Sequence, residues 1–446
     1  MNRDWGLFFL ITVLTLIVSI ALIRWLAPGL LGITGDLQLV QVSREVPPFY
    51  ENVFRSDNPT RGLFLLNDPI TKVRALPKFP NDINIGPHDY LGFRNREIPN
   101  VADLVVIGDS QTYGNNALME ENWPGWLLKN IQQKGLNKNL YNISVGGWGA
   151  LQYLYMVDKA LTMDPEVVIV AFYTGNDAIE SFQLAYADER WKQYRPNKSL
   201  SAEDMPKIHY PPKPDEVWKV VFQDGVIHEF TPLYRYGGNQ PHPVIDAGYE
   251  IMAIVAETVA EKVSKSQRKL FFTIIPTAEL IYSAKIDQEG ISRPKVYDQL
   301  VAAEKKRIEV LANRLKNLET AAYIDLLAPL SVAAMENKPL YPSDSNGHPV
   351  SGGYKAIADV ISETISDKLE NPKEGLYMRV TAAGYPDNRN GYLLNNGKLH
   401  YFDSPERLMG NGWIAPYKVK PLNMRMLNRY PVESVRATDY ERYGPK

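Results

Sequence analysis

From Ala102 onward, short aliphatic and β-branched runs alternate with longer stretches of helical spacing. ADLVVIG (102–108) ends in Gly, and WPGWLLKNIQQKG (123–135) follows with apolar residues at helical intervals and a terminal Gly, which predicts strand, loop, helix. The alternation returns as LYNISV (140–145), a helix from about Leu151 to Leu161, and EVVIVAFY (166–173). KLFFTIIP (269–276) and TAAYIDLL (320–327) predict two further strands, preceded by helices near 247–265 and 294–318 and followed by one near 351–369. Continuous Val/Ile runs without polar alternation suit parallel strands covered on both faces. Five such strands separated by helices predict an open, doubly wound α/β domain with a parallel sheet, which binds ligands beyond the carboxyl ends of its strands.

The segments outside this rhythm divide the chain further. Gly6 to Ile23 is an apolar run without a charge, long enough for a spanning helix, so residues 1–27 are read as a transmembrane signal anchor. A cleaved signal peptide is the alternative, but the run is longer than a usual signal core and lacks a small-x-small site after Arg24 and Trp25. Residues 28–100, rich in Pro, Gly and Asn, read as stalk and lead-in; 101–370 form the α/β domain. Residues 178–246 interrupt that domain as a charged, aromatic, Pro-rich insertion, read as a cap or rim. Residues 371–446 show little periodicity and read as an irregular extension, in which seven Lys/Arg face three Asp/Glu from 411 to 446.

Composition adds exclusions. With 45% hydrophobic and 22% charged residues, the chain of 446 residues has the balance of a globular protein. A net charge of -2 supplies no global field for nucleic acid, which is not expected as a partner. The absence of cysteine excludes disulfides, thiolate catalysis and Cys-ligated metals.

Candidate chemistry gathers where strands end. The first strand runs into Gly108-Asp109-Ser110, which puts a hydroxyl on the loop toward the next helix. Such a hydroxyl needs an adjacent base and donors for the oxyanion that forms on an attacked carbonyl. The second strand ends in Asn142 and the cluster Gly146-Gly147-Trp148-Gly149, which lets a backbone N–H approach a ligand; the third ends in Gly175-Asn176-Asp177, where an Asn amide emerges at the same sheet edge. After the fifth strand, His348 lies on the loop Ser343-Asp344-Ser345-Asn346-Gly347-His348-Pro349, a base with a preceding carboxylate. Taken singly, each segment also fits a plain turn or helix cap.

In this order, GDS, N-x-x-x-x-G, G-N-D and an acidic residue before His-Pro resemble the four sequence blocks of the SGNH (GDSL-like) hydrolases. Gly92-Phe93-Arg94 resembles the segment that precedes the first block in membrane-associated bacterial members. The resemblance covers roughly residues 88–370 without the insertion. It implies a flavodoxin-like SGNH fold with Ser110 as nucleophile and His348 as base. It further implies an oxyanion hole from the backbone N–H groups of Ser110 and Gly147 with the Asn176 side chain, Gly146 being the alternative donor if the turn is shifted by one. Two departures stand out. Asp344 lies four residues before His348 rather than three, which leaves open whether Asp344 or a backbone carbonyl orients the imidazole, and Gln111 replaces a usually apolar residue after the nucleophile.

The implied activity is serine-dependent ester hydrolysis or O-acyl transfer through an acyl-enzyme, without metal or organic cofactor. By the same resemblance, the substrate is a cell-envelope polysaccharide or lipid-linked ester and a membrane protein is a candidate partner. The soluble domain then sits on the outer side of the bacterial inner membrane. Trp191, Tyr194 and Trp218 could stack on sugar or simply fill core and rim. Two other classes remain open: an accessory subunit of a membrane assembly that keeps the fold without turnover, and a sugar-binding module using the same cleft.

Overall fold

The structure, a computed structural model, describes residues 65–79, 85–99, 102–206 and 212–370, together with 375–380, 386–395, 398–403, 420–422, 427 and 432–436. The anchor expected over residues 1–27 lies outside the described residues, among which no helix is long and apolar enough to cross a membrane. The chain divides between Asn67 and Asp68 into two units, and the description below concerns the second.

Its centre is a five-stranded parallel sheet built from β1 (Leu104–Gly108), β2 (Leu140–Ser144), β3 (Val167–Tyr173), β6 (Lys269–Ile275) and β7 (Ala322–Ile324). β4 (Trp218–Val221) and β5 (Ile227–Phe230) form a separate antiparallel hairpin. The order across the sheet is β2-β1-β3-β6-β7. All five residues of β1 and all seven of β3 are buried, as unbroken Val/Ile runs require when helices cover both faces. The helices are α1 (Ser110–Tyr113), α2 (Trp123–Gln133), α3 (Ala150–Thr162), α4 (Asp177–Ala187), α5 (Pro232–Gly237), α6 (Pro243–Lys265), α7 (Ala278–Ile281), α8 (Ser283–Gln288), α9 (Lys295–Lys316), α10 (Leu327–Met335) and α11 (Ser351–Ile365). The order reverses direction beside β1, so the loops after β1 and β3 open at the point where such sheets bind ligands.

Each margin of the sheet offers little ladder to a further strand. β7 is three residues long. Along β2, the Asn95 side chain takes the place of a neighbouring strand: its Oδ1 accepts the Asn142 N–H at 3.0 Å and its Nδ2 donates to the Asn142 carbonyl at 3.0 Å.

Three expectations change. The lead-in is not all stalk, because His88, Asp89, Arg94 and Asn95 are buried in the domain. The insertion drawn at 178–246 opens with α4, whose Ala178, Ile179, Phe182, Leu184 and Ala185 are buried and which packs on α6. Its polar stretch begins only near Asp188. The C-terminal extension, read as irregular, carries a second sheet from β8 (Gly375–Val380), β9 (Pro386–Asn395), β10 (Lys398–Phe402), β11 (Lys420–Pro421) and β12 (Val432–Ser434), in the order β11-β8-β9-β10-β12. Asn395 pairs with Lys398, and the sequence between them is Asn396-Gly397, the dipeptide two-residue hairpins favour. The signal was there, but short half-buried strands separated by long polar stretches give weak periodicity.

Candidate active site

The nucleophile turn is compact. Asp109 caps α1 by accepting the Gln111 N–H at 2.9 Å, and Gly108 must be glycine because a Cβ there would stand 2.1 Å from Thr112 Oγ1 and 3.2 Å from the Ala171 carbonyl. The turn thus leaves Ser110 Oγ at the carboxyl edge of the sheet. There, His348 Nε2 lies 2.8 Å from Ser110 Oγ, although the two residues are separated by 238 positions in the chain. This is hydrogen-bond distance between a hydroxyl and a general base.

The group on the far side of the imidazole is not Asp344. His348 Nδ1 lies 2.7 Å from Asn346 Oδ1. Asp344 is exposed and accepts the Asn346 backbone N–H at 3.0 Å, so its carboxylate shapes the turn that presents Asn346. The physical reason is local: an Asx-type turn consumes the carboxylate two residues before the amide, and the amide then folds back onto the ring.

Gln111, the second departure, is buried and donates from Nε2 to the Gly347 carbonyl at 3.1 Å, joining the nucleophile helix to the histidine loop. Asn116, in left-handed conformation with φ 69°, donates from Nδ2 to the His348 carbonyl at 3.1 Å and accepts from Asn346 Nδ2 at 2.8 Å. From the other side comes Arg235 of α5, whose guanidinium lies over the Tyr173 ring at 5.6 Å and so close to Gly347 that a Cβ there would stand 2.1 Å from Nη2.

Of the expected oxyanion residues, Gly147 adopts φ 79°, which an L side chain resists. Gly146 faces the nucleophile, since a Cβ built on it would lie 3.5 Å from Ser110 Cβ. Asn176 occupies the N-cap position of α4 three residues beyond β3, without a side-chain capping bond, and its side chain lies near Glu180 one turn on.

Behind these loops sit three fully buried carboxyls that no motif announced as a group. Burial pushes Asp109 up to about 7 against the pull of the Gln111 N–H and the Ser110 hydroxyl. Burial and then the neighbouring Asp109 and Glu180 charges raise Asp177 well above the carboxylate range, although the Tyr173 N–H and the Tyr153 hydroxyl donate to it at 2.9 and 3.0 Å. Burial, then Asp109, raises Glu180 in the same way. The one sequence signal was an acid beside each of the GDS and GND blocks.

The lead-in supplies a further support that the motif match alone did not explain. Buried Arg94 donates from Nε to the Gly86 carbonyl at 2.8 Å, from Nη1 to those of Tyr113 and Gly114 at 3.1 and 2.5 Å, and from Nη2 to that of Ala117 at 2.8 Å. It thereby holds the segment that leads from α1 to Asn116. The aromatics considered for sugar stacking are engaged within the fold: Trp191 is buried and 6.1 Å from the Tyr194 ring, and Trp218 packs 4.8 Å from the Tyr297 ring.

No protein-family profile matches the chain, and no curated protein does. Among solved structures, the chain is similar to the psychrotrophic esterase EstA from Pseudoalteromonas sp., at 14% identity and a TM-score of 0.30 over 60% of this chain and 100% of that one. It is also similar to a GDSL-like lipase from Bacteroides thetaiotaomicron, at 11% identity and a TM-score of 0.30 over 60% of this chain and 88% of that one. A variant of Axe2, an acetyl xylan esterase from Geobacillus stearothermophilus, is similar at 11% identity and a TM-score of 0.31 over 61% and 99% of the two chains.

Proposed function

We propose that this protein is a serine-dependent esterase or O-acyltransferase working through an acyl-enzyme, with Ser110 as nucleophile and His348 as base. The observation that carries the reading is the 2.8 Å approach of His348 Nε2 to Ser110 Oγ, made by two loops from opposite ends of the domain. In the first step, Nε2 takes the hydroxyl proton as Oγ attacks the ester carbonyl. The negative charge moves to the carbonyl oxygen, where the backbone N–H groups of Ser110 and Gly147 and the Asn176 amide are the proposed donors. The tetrahedral adduct collapses as the alcohol leaves with the proton from His348. In the second step, water or an acceptor alcohol gives a proton to His348, attacks the Ser110 ester and restores the enzyme.

Asn346 takes the orienting role in this scheme. An amide oxygen on Nδ1 keeps that nitrogen protonated and leaves the Nε2 lone pair for Ser110, the arrangement known from Cys-His-Asn sites. The apolar N-terminal run supports a membrane anchor, with the catalytic unit on the outer face of the inner membrane. The corresponding substrate is an O-acyl group on a cell-envelope glycan or lipid-linked sugar, with a membrane protein as the candidate acyl donor partner.

The test is covalent labelling of the full chain with a fluorophosphonate, followed by peptide mass spectrometry. A single adduct on Ser110, lost in Ser110→Ala and His348→Ala, is the expected result. Folded protein that never labels at Ser110 would leave the accessory-subunit reading in its place. Mass spectrometry of the acylated Ser110 peptide with and without a glycan acceptor then separates hydrolase from transferase.

A further inference from the structure

The partner of the catalytic base is a neutral amide, and a neutral amide can face its histidine in two ways. With Oδ1 toward Nδ1 it accepts a proton and enforces the Nδ1–H tautomer; with Nδ2 toward Nδ1 it donates, enforces the other tautomer and leaves Ser110 without a base. A carboxylate has no such ambiguity. A site that uses Asn here must therefore fix the amide from elsewhere.

The structure contains the fixture. His348 offers two groups on its own backbone whose polarity cannot change, an N–H and a carbonyl. The N–H donates to Asn346 Oδ1 at 3.3 Å, the same oxygen that lies 2.7 Å from the ring Nδ1. The carbonyl accepts from Asn116 Nδ2 at 3.1 Å, and Asn116 Oδ1 accepts from Asn346 Nδ2 at 2.8 Å. The four groups form a closed loop. Turning Asn346 over would set its Nδ2 against the His348 N–H and its Oδ1 against Asn116 Oδ1. Turning both amides over would move the second clash to the His348 carbonyl. One arrangement alone satisfies every donor and acceptor.

We propose that Asn116 is a positioning residue for the base: it locks the Asn346 amide so that the proton stays on Nδ1 of His348 and the Nε2 lone pair faces Ser110. The proposal rests on the acyl-transfer reading for its consequence in rate, but its structural content, the tautomer, can be measured without turnover. Asn116 never touches the reacting atoms. Its place is set by a left-handed backbone at the end of the nucleophile turn, a conformation that Asn tolerates better than most residues. Tyr354 of α11 donates to the neighbouring Asn115 carbonyl at 2.8 Å, and Arg94 holds the flanking Gly114 and Ala117 carbonyls.

The experiment is nitrogen-15 NMR of the histidine rings in the full chain, where only 6 histidines contribute, paired with the rate of fluorophosphonate labelling at Ser110. Asn116→Gly removes the side chain while keeping a residue at ease with positive φ. The expected result is a predominant Nδ1–H tautomer for His348 in the natural protein and mixed tautomers in N116G, with labelling slowed about ten- to a hundredfold. Asn116→Asp keeps an acceptor for Asn346 Nδ2 but sets a carboxylate oxygen against the His348 carbonyl, so its tautomer mixture is expected to lie between those of the natural protein and N116G. Combining N116G with Asn346→Leu is expected to slow labelling no more than Asn346→Leu alone, because the two residues act in one chain. A natural tautomer in N116G with labelling within about twofold would overturn the proposal, as would N116D tautomers more mixed than those of N116G. Failure of the natural protein to label would refute the acyl-transfer reading, and the tautomer comparison would still decide the role of Asn116.

Discussion

Replacing Arg94 by Met keeps the aliphatic stem and removes the buried guanidinium that ties four carbonyls together. The Tyr113 carbonyl retains a second donor, Asn122 Nδ2 at 3.0 Å. The carbonyls of Gly86, Gly114 and Ala117 each lose the donor that Arg94 supplies. A buried polar group left unsatisfied costs about 1–3 kcal/mol, so three of them give about 3–9 kcal/mol before any relief. Part of this is offset because a charge no longer has to be held out of water, and water can enter at the loop. A net loss of about 3–5 kcal/mol, the lower part of that range, is the expected figure. At roughly 2 °C per kcal/mol for a large domain, Tm falls by about 6–10 °C. The assay is thermal unfolding followed by circular dichroism, with Arg94→Lys as a companion that restores charge but not the planar fork and is expected to fall between. A loss below about 1 kcal/mol in R94M would refute the reasoning, because it would mean that the carbonyls find other donors at little cost. Labelling of Ser110 in the folded fraction should also slow, since the same segment carries Asn116.

Three other outcomes follow from the site. Asp344→Asn should change the Ser110 labelling rate by less than about threefold, because an exposed Asn can still accept the Asn346 N–H, whereas Asn346→Leu should slow it by about 10²- to 10⁴-fold; the reverse ranking would restore Asp344 as the orienting group. Asp109 has a folded pKa near 7 against an ordinary value of 3.8, so the folded state binds more protons between those limits and stability falls as pH rises through that window, levelling off above it. Tm measured from pH 4.5 to 7.5, about the span between those values, should decline less in Asp109→Asn than in the natural protein; equal slopes would exclude Asp109 as the source. Gly108→Ala should destabilise the domain by more than about 2 kcal/mol, since its Cβ would overlap the Thr112 side chain and crowd a backbone carbonyl, and denaturant titration reads this directly.

The parts of the site that were legible in the sequence were those that a strand delivers. Ser110, Gly147 and Asn176 each stand two or three residues beyond the end of a strand, and a parallel sheet places all such positions along one edge. His348 could be found because, of the two His-Pro pairs in the chain, at His242 and His348, it alone follows the fifth predicted strand with a carboxylate a few residues before it. Asn346 could not. Which of Asp344 and Asn346 reaches the imidazole depends on the path of a five-residue turn, and turn geometry is set by hydrogen bonds that leave no periodic trace. The buried carboxyls escaped for a related reason: Asp177 and Glu180 share α4 while Asp109 stands on the turn after β1, and the nearness of these two elements is a property of sheet order. Arg94 matched a motif, yet nothing in the motif says that a guanidinium will bind three carbonyls of the segment that follows the nucleophile and a fourth, that of Gly86, in the lead-in.

The side-chain amide of Asn95 has an implication beyond the domain's own folding. By imitating one residue of a missing strand, it takes up the hydrogen-bonding valences with which another polypeptide would begin to zip onto the open flank, and the brevity of β7 denies a foothold at the opposite flank. Among the described residues, two molecules meeting side by side along these flanks would therefore find at most a short stretch of ladder on which to join their sheets.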